Sequence, residues 1–221
     1  MSDLTLVLGN KAYSSWSLRP WLALRVAGIP FHEEVIALDQ PDTRERILRH
    51  SPAGRVPVLH DGAVTLWESL AILEYIAERH PEAGLWPDSQ ASRAFARAVT
   101  SEMHAGFAPL RAALPMNLRE GRPGLALTAE VQRDVDRVCA LWRDCRSHHR
   151  AGGPFLFGRF TNADAMFAPV ATRFRTYGVP LDDLCGAYVQ ALYDLPALQQ
   201  WIAEAQAEPW VIEAVSEIGK P

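Results

Sequence analysis

Cysteine is scarce: three residues, Cys139, Cys145 and Cys185, in 221. They form no CxxC pair and no zinc-ligand spacing, and an odd number argues against a disulfide framework. Cys139 sits in an apolar-periodic stretch and reads as a small core hydrophobe. Histidine is equally uninformative as a ligand set. His148-His149 lies between Arg146 and Arg150 and reads as a solvated helix end, so no metal is expected. A basic surplus is missing as well. Lys and Arg number 22 against 26 Asp and Glu, a net charge of −4, so phosphate neutralisation and a nucleic-acid partner have little support. No apolar run approaches the roughly 20 residues of a membrane helix. The start Met1-Ser2-Asp3-Leu4 lacks a charged region followed by an apolar one, so a cytoplasmic protein off the membrane is expected. What is present is ordinary: 48% hydrophobic and 22% charged residues, enough to build a packed core.

The first eighty residues alternate strand and helix signals. Leu4-Thr5-Leu6-Val7-Leu8 is a β-rich run ended by Gly9-Asn10. Trp21 to Ala27 reads as helix, closed by Gly28 with Pro30 beyond. Pro20 lacks an N–H and is placed in a first turn, so the N-cap should lie no earlier than Trp16, with Ser17 the best capping side chain. A strand over 31–38, a short charged helix over 43–49 and a strand Val56-Pro57-Val58-Leu59-His60 follow. Asp61-Gly62 turns into Val64-Thr65-Leu66 as a hairpin, and 70–77 has helical spacing. The order βαβαββα requires both a parallel crossover and an antiparallel hairpin, hence a mixed sheet. Beyond the break at His80-Pro81 the pattern is helical: 89–114, 128–148, 162–176 and 197–207. Pro109, Pro115, Pro123, Pro154, Pro169, Pro180 and Pro196 are expected to end or kink these helices. The fold class is thus α/β followed by all-α, with residues 1–82 as the first domain, 83–90 as linker and 91–221 as the helical domain.

Three short segments carry chemistry. Ser14-Ser15-Trp16-Ser17-Leu18-Arg19 joins the first strand to the first helix, where hydroxyls and the positive helix end can face an anion. Arg55-Val56-Pro57 puts a proline at a strand start, where a cis bond leaves Val56 able to pair with an extended peptide. Glu68-Ser69 opens the third helix: Ser69 can cap it and hold a carboxylate, and Glu68 can accept from an ammonium.

Together with Val58-Leu59, Leu70 to Ile76 and Phe157-Gly158-Arg159-Phe160-Thr161-Asn162-Ala163-Asp164, these segments resemble the cytosolic glutathione transferase family, nearest to its serine-type, zeta-like members. The resemblance covers essentially the whole chain. It implies a thioredoxin-like first domain binding glutathione as co-substrate, and a helical domain in which Thr161 and Asp164 form a buried capping box. It implies that Ser14 donates to the glutathione sulfur, Val56 pairs with the cysteinyl backbone, Ser69 takes the γ-glutamyl carboxylate and Glu68 the ammonium. Arg55 would reach a peptide oxygen or the glycyl carboxylate. Ser14 matches zeta-type spacing and Ser15 theta-type spacing, so both stand as catalytic candidates with Ser14 favoured.

The resemblance further implies a small electrophilic or hydrophobic acceptor held between the domains, and a homodimer. Trp16, Met103 and Phe107 are the acceptor candidates; Met103 and Phe107 lie four apart on a helical face, with His104, Met116 and Asn117 nearby. Arg111, Arg119, Arg173 and Arg175 are candidates for recognising an anionic acceptor. Departures are visible. Trp16 replaces the cysteine usual in maleylacetoacetate isomerases, Trp21 a second arginine, and the family's substrate-carboxylate arginine would fall at Thr176. With no cysteine at the first helix, thiol-transferase and glutaredoxin readings are disfavoured. The expected activity is thiolate transfer to an electrophile. The alternatives are a glutathione-dependent isomerase or peroxidase, or a non-catalytic glutathione-binding protein of the same fold.

Overall fold

The computed structural model describes residues 4–148 and 152–219. His149 and Arg150 therefore lie outside the described residues, as do Met1, Ser2 and Asp3. The amino-terminal half runs β1 (Leu4–Gly9), α1 (Ser15–Val26), β2 (His32–Ile36), α2 (Thr43–Leu48), β3 (Val58–Asp61), β4 (Val64–Trp67) and α3 (Ser69–Arg79). The sheet order is β2-β1-β3-β4. β1 pairs parallel with β2 and antiparallel with β3, with Leu6 opposite Leu59, and β3 and β4 form the hairpin. The mixed sheet expected from the element order is therefore present. Leu6, Leu8 and Leu59 join α1 and α3 in the main core, while Val7 and Val58 face Ile36 and Ile47 on the other side. Alternation along β1 thus feeds two packed layers.

The start of α1 differs from expectation. The helix begins at Ser15 with Ser14 as N-cap, and Pro20 lies inside it. The Ser17 side chain caps nothing; it accepts from Gly9 N (3.0 Å) and from the Ser14 hydroxyl (2.7 Å). A proline costs a helix one N–H, and the buried packing of Leu18, Trp21 and Leu22 offsets that loss. At α3 the N-cap is Glu68 and Ser69 is the first helical residue, which corrects the expectation of a Ser69 cap.

A short 3-10 turn (Pro81–Ala83) leads into the helical half: α4 (Gln90–Ala105), α5 (Ala108–Ala113), α6 (Ala129–His148), α7 (Asn162–Tyr177), α8 (Asp183–Tyr193), α9 (Pro196–Ala207) and α10 (Glu213–Ser216). The single helix expected over 89–114 is two, because Phe107 turns into the left-handed region at φ 60°. Pro169 neither ends nor breaks α7, which runs on to Gly178. The α8 helix was not anticipated.

α7 is the buried spine of this half and packs on α1, α4 and α8. Its start carries the expected capping box, with Asp164 Oδ2 accepting from Thr161 N (2.8 Å) and Oδ1 from Leu156 N (3.0 Å). Asn162 ties the halves together, its N donating to Leu85 O (2.8 Å) and its Nδ2 to Leu73 O (3.0 Å). The three cysteines are buried free thiols. Among the described residues no helix is long and apolar enough to cross a membrane.

Candidate functional site

Two adjoining cavities are present, one opening where the sheet half meets the helical half and the other within the sheet half. One, of about 430 Å3, is lined by Trp16, Arg55, Val56, Pro57, Trp67, Glu68 and Ser69, and by His104, Ala105 and Arg111 from the far side. The other, of about 380 Å3, is lined by Tyr13, Ser14, Ser15, Trp16, Arg55 and Val56, with Leu38, Asp39, Thr43, Ile47 and Gly54. They share Trp16, Arg55 and Val56, so together they form one cleft. Both lie in the size range of small-molecule sites.

The cleft gathers Ser14, Ser15, Trp16, Arg55, Val56, Glu68 and Ser69 from three separate segments. The tight turn 10–14 delivers the serines: Ser14 N donates to Asn10 O (2.8 Å), and the chain then enters α1. The Val56–Pro57 peptide bond is cis. Glu68 stands at φ 70° between β4 and α3, a backbone conformation unusual for a residue with a side chain. Two helix N-termini, those of α1 and α3, therefore face one cleft, and each leaves unpaired N–H groups that favour an anion.

Met103 and Phe107 do not line the cleft. Met103 is fully buried and Phe107 nearly so, both in the main core. The apolar face of α4 packs on α7, which turns the polar end of the helix, His104, toward the cleft instead. Met116 is likewise core. Asn117, Arg119 and Arg175 line a different cavity of about 240 Å3 beside Tyr193.

Positive charge is concentrated beneath the cleft. The Trp16 ring has the Arg19 guanidinium over it at 4.0 Å and that of Arg111 at 5.1 Å, with the His104 ring at 5.3 Å. Arg19 is wholly buried and donates through Nη1 to Ser69 Oγ (3.4 Å). Arg173 is buried too, donating to Ser15 Oγ (3.1 Å) and Pro169 O (3.3 Å), and Arg111 donates to His104 O (3.2 Å). Arg19 Nε and Nη2 and Arg173 Nε have no partner among the described residues. Burial, then the charges of Arg173 and Arg111, hold the Arg19 guanidinium well below its ordinary range. Burial and Arg111 lower Arg173 to about 10. Burial and Arg19 lower His104 as well, so its ring is neutral at pH 7, with Nε2 3.5 Å from Glu68 Oε2. Arg19 was legible only as part of a motif; its unpaired burial had no sequence signal.

No group of three or more His, Cys, Asp or Glu residues is placed to hold a metal among the described residues. A mixed thioredoxin-like sheet, a helical second half and a cleft between two helix N-termini define a glutathione-binding type of architecture. The model of the glutathione S-transferase N-terminal domain matches residues 13–79, and that of the C-terminal domain matches residues 96–204. The chain belongs to the glutathione S-transferase family. A probable maleylacetoacetate isomerase of Vibrio cholerae is 25% identical over 224 residues, covering 97% of each chain. One of Caenorhabditis elegans is 32% identical over 110 residues, covering 50% of this chain and 51% of that protein, so the match spans about half the length of that relative. A glutathione transferase homologue from Burkholderia, solved with bound glutathione, has the same fold. Its TM-score is 0.70 at 24% identity, over 93% of this chain and 99% of that one.

Proposed function

We propose that the chain is a glutathione-dependent enzyme that holds glutathione as a thiolate in this cleft and presents it to a small electrophile bearing an anionic group. The observation that carries this reading is the convergence of Ser14, Val56, Glu68 and Ser69 on one cleft between the α1 and α3 N-termini. In this reading residues 1–82 form the glutathione-binding domain, 83–90 the linker and 91–221 the helical domain. The γ-glutamyl carboxylate sits at the α3 N-terminus on Ser69, and its ammonium meets Glu68. The cysteinyl backbone pairs with Val56, and Arg55 reaches the glycyl end.

A free thiol titrates near ~8.5 and is mostly protonated at neutral pH. The Ser14 proton, now shared with Ser17, swings to the sulfur, and the Ser17 hydroxyl takes over the Ser14–Ser17 contact as donor. That bond and the α1 N-terminus favour the thiolate. The thiol proton passes to solvent and the thiolate attacks the acceptor carbon. The S–C bond forms as the bond to the acceptor's leaving group breaks and that group departs as an anion. The bound pair gains the rate advantage of proximity. Arg111 meets the acceptor's anionic group at the cleft wall, with Arg19 and Arg173 supplying positive field from below. A second reading is favoured by the same arginines and by the isomerase names of the relatives. In it the thiolate adds to an activated double bond of an unsaturated acid, the bond rotates, and glutathione leaves unchanged.

The test is ultraviolet difference titration of the thiolate in the protein with glutathione, alongside Ser14→Ala. Activation shows as a thiolate band titrating below the free thiol, with the titration returned to the free-thiol range in Ser14→Ala. Binding without a band overturns the catalytic reading and leaves a glutathione-binding protein. A cytoplasmic homodimer completes the proposal: edge strand β4 exposes Val64 (38%) and Trp67 (41%) for a second copy. A solution mass equal to the 24.5 kDa of one chain, rather than twice it, would contradict the dimer.

A further inference from the structure

The turn 10–14 decides where the Ser14 hydroxyl stands, and its middle is held from the far end of the chain. Lys11 N donates to Glu208 Oε1 (2.7 Å) and Ala12 N to Glu208 Oε2 (3.1 Å). Lys11 O accepts from Trp201 Nε1 (2.9 Å), and Ala12 O from Leu118 N (3.2 Å). All four main-chain groups of these two residues are therefore taken by the helical half. One carboxylate spans two successive N–H groups, as an anion does in a backbone nest. Glu208 is itself steadied, since Arg119 Nη1 donates to its carbonyl (2.5 Å) and it follows directly on α9.

We infer that Glu208 is a positioning residue for the glutathione thiol site: by holding the Lys11 and Ala12 amides, it fixes the Ser14 hydroxyl at the head of α1. The inference rests on the reading of Ser14 as the thiol's hydrogen-bond donor. The coupling is short. One residue, Tyr13, separates Ala12 from Ser14, and Tyr13 N and Ser14 N both donate to Asn10 O (3.2 and 2.8 Å). A turn bonded at both ends and in its middle moves as one piece. Hydrogen-bond strength falls steeply with misalignment, so a displaced hydroxyl stabilises the thiolate poorly.

Glu208→Gln keeps the shape but turns an amide NH2 toward one of the two N–H donors, so one of them loses its acceptor. The expected result is faster hydrogen exchange at the Lys11 and Ala12 amides. The thiol of bound glutathione should titrate about one unit higher, a roughly tenfold loss of thiolate at pH below its titration. Glutathione affinity should change less than about threefold, because the γ-glutamyl contacts lie on α3 and are untouched. In a Ser14→Ala background the same substitution should move the thiol no further, a non-additivity that general destabilisation would not produce. Arg119→Met releases the Glu208 carbonyl from the protein surface and should act in the same direction, more weakly; it decides the matter alone if Glu208→Gln fails to fold. A thiol titration unmoved by these variants, or moved equally with and without Ser14, overturns the inference. A wild-type protein with no thiolate band overturns the reading of Ser14, and this inference with it.

Discussion

The Arg173 guanidinium reaches across from the helical half to donate to Ser15 Oγ at 3.1 Å, whereas the neighbouring Ser14 hydroxyl donates within its own turn to Ser17. Two adjacent serines at one helix start thus have different partners. Ser14→Ala should return the thiolate titration to the range of the free thiol and lower kcat by about 10²–10³, the usual effect of removing an oxyanion-type donor. Ser15→Ala should leave the band in place and instead raise KM for anionic acceptors by freeing Arg173. Thiolate titration and steady-state kinetics on both variants check the division.

Arg173 is a buried cation with no carboxylate partner among the described residues. Replacing such a group by an apolar one of similar length is often neutral or stabilising. Arg173→Met should therefore keep or raise the thermal midpoint. Its kcat/KM for an anionic acceptor should fall, because one of the two buried charges that supply positive field beneath the cleft is gone. A neutral acceptor assayed in parallel should be little affected.

Glu68 sits at φ 70°, where a side chain carries strain and glycine does not. Glu68→Gly should raise stability by about 1 kcal/mol while weakening glutathione binding. Urea unfolding and calorimetric titration would show the two effects with opposite sign.

Glu33 accepts from Lys11 Nζ (2.5 Å), Trp21 Nε1 (2.8 Å) and Arg25 Nη2 (2.5 Å). Burial pushes its carboxyl up, but these hydrogen bonds and the Lys11 charge outweigh it and leave the group below its ordinary value. The folded state therefore binds fewer protons there than the unfolded chain. The stability it contributes is complete above the unfolded carboxylate range near ~4.3 and is lost as pH falls through the lowered value. Glu33→Gln should cost about 1.5–3 kcal/mol at pH 7, and the gap to wild type should close on acidification. Denaturant midpoints across pH measure it.

The sheet half was largely legible because its information is local. Alternation marked the strands, Asp61-Gly62 the hairpin, and serines, Val56-Pro57 and Glu68-Ser69 the turns that deliver groups to the cleft. Pro20 misled because a buried helix tolerates one lost N–H when Trp21 and Leu22 pack beneath it. The α8 helix had sufficient signal in its Asp182 cap and in Cys185, Tyr188, Val189 and Leu192 at three- and four-residue spacing. The acceptor side was not legible. Met103 and His104 are neighbours in sequence, yet one lies in the core and the other lines the cleft. Which of two adjacent residues faces the site depends on how α4 is turned on α7, and no local pattern encodes that.

α7 lies buried along nearly its whole length with α1 against it, and Asn162 bonds to the main chain of α3 at Leu73 and of the linker at Leu85. The two halves are thereby joined along a continuous seam. The cleft opens outside that seam, with Trp67 exposed at its rim and Arg111 in its wall. Mutation can then change which acceptors pass by altering the rim one residue at a time, while the seam that folds the protein is left alone.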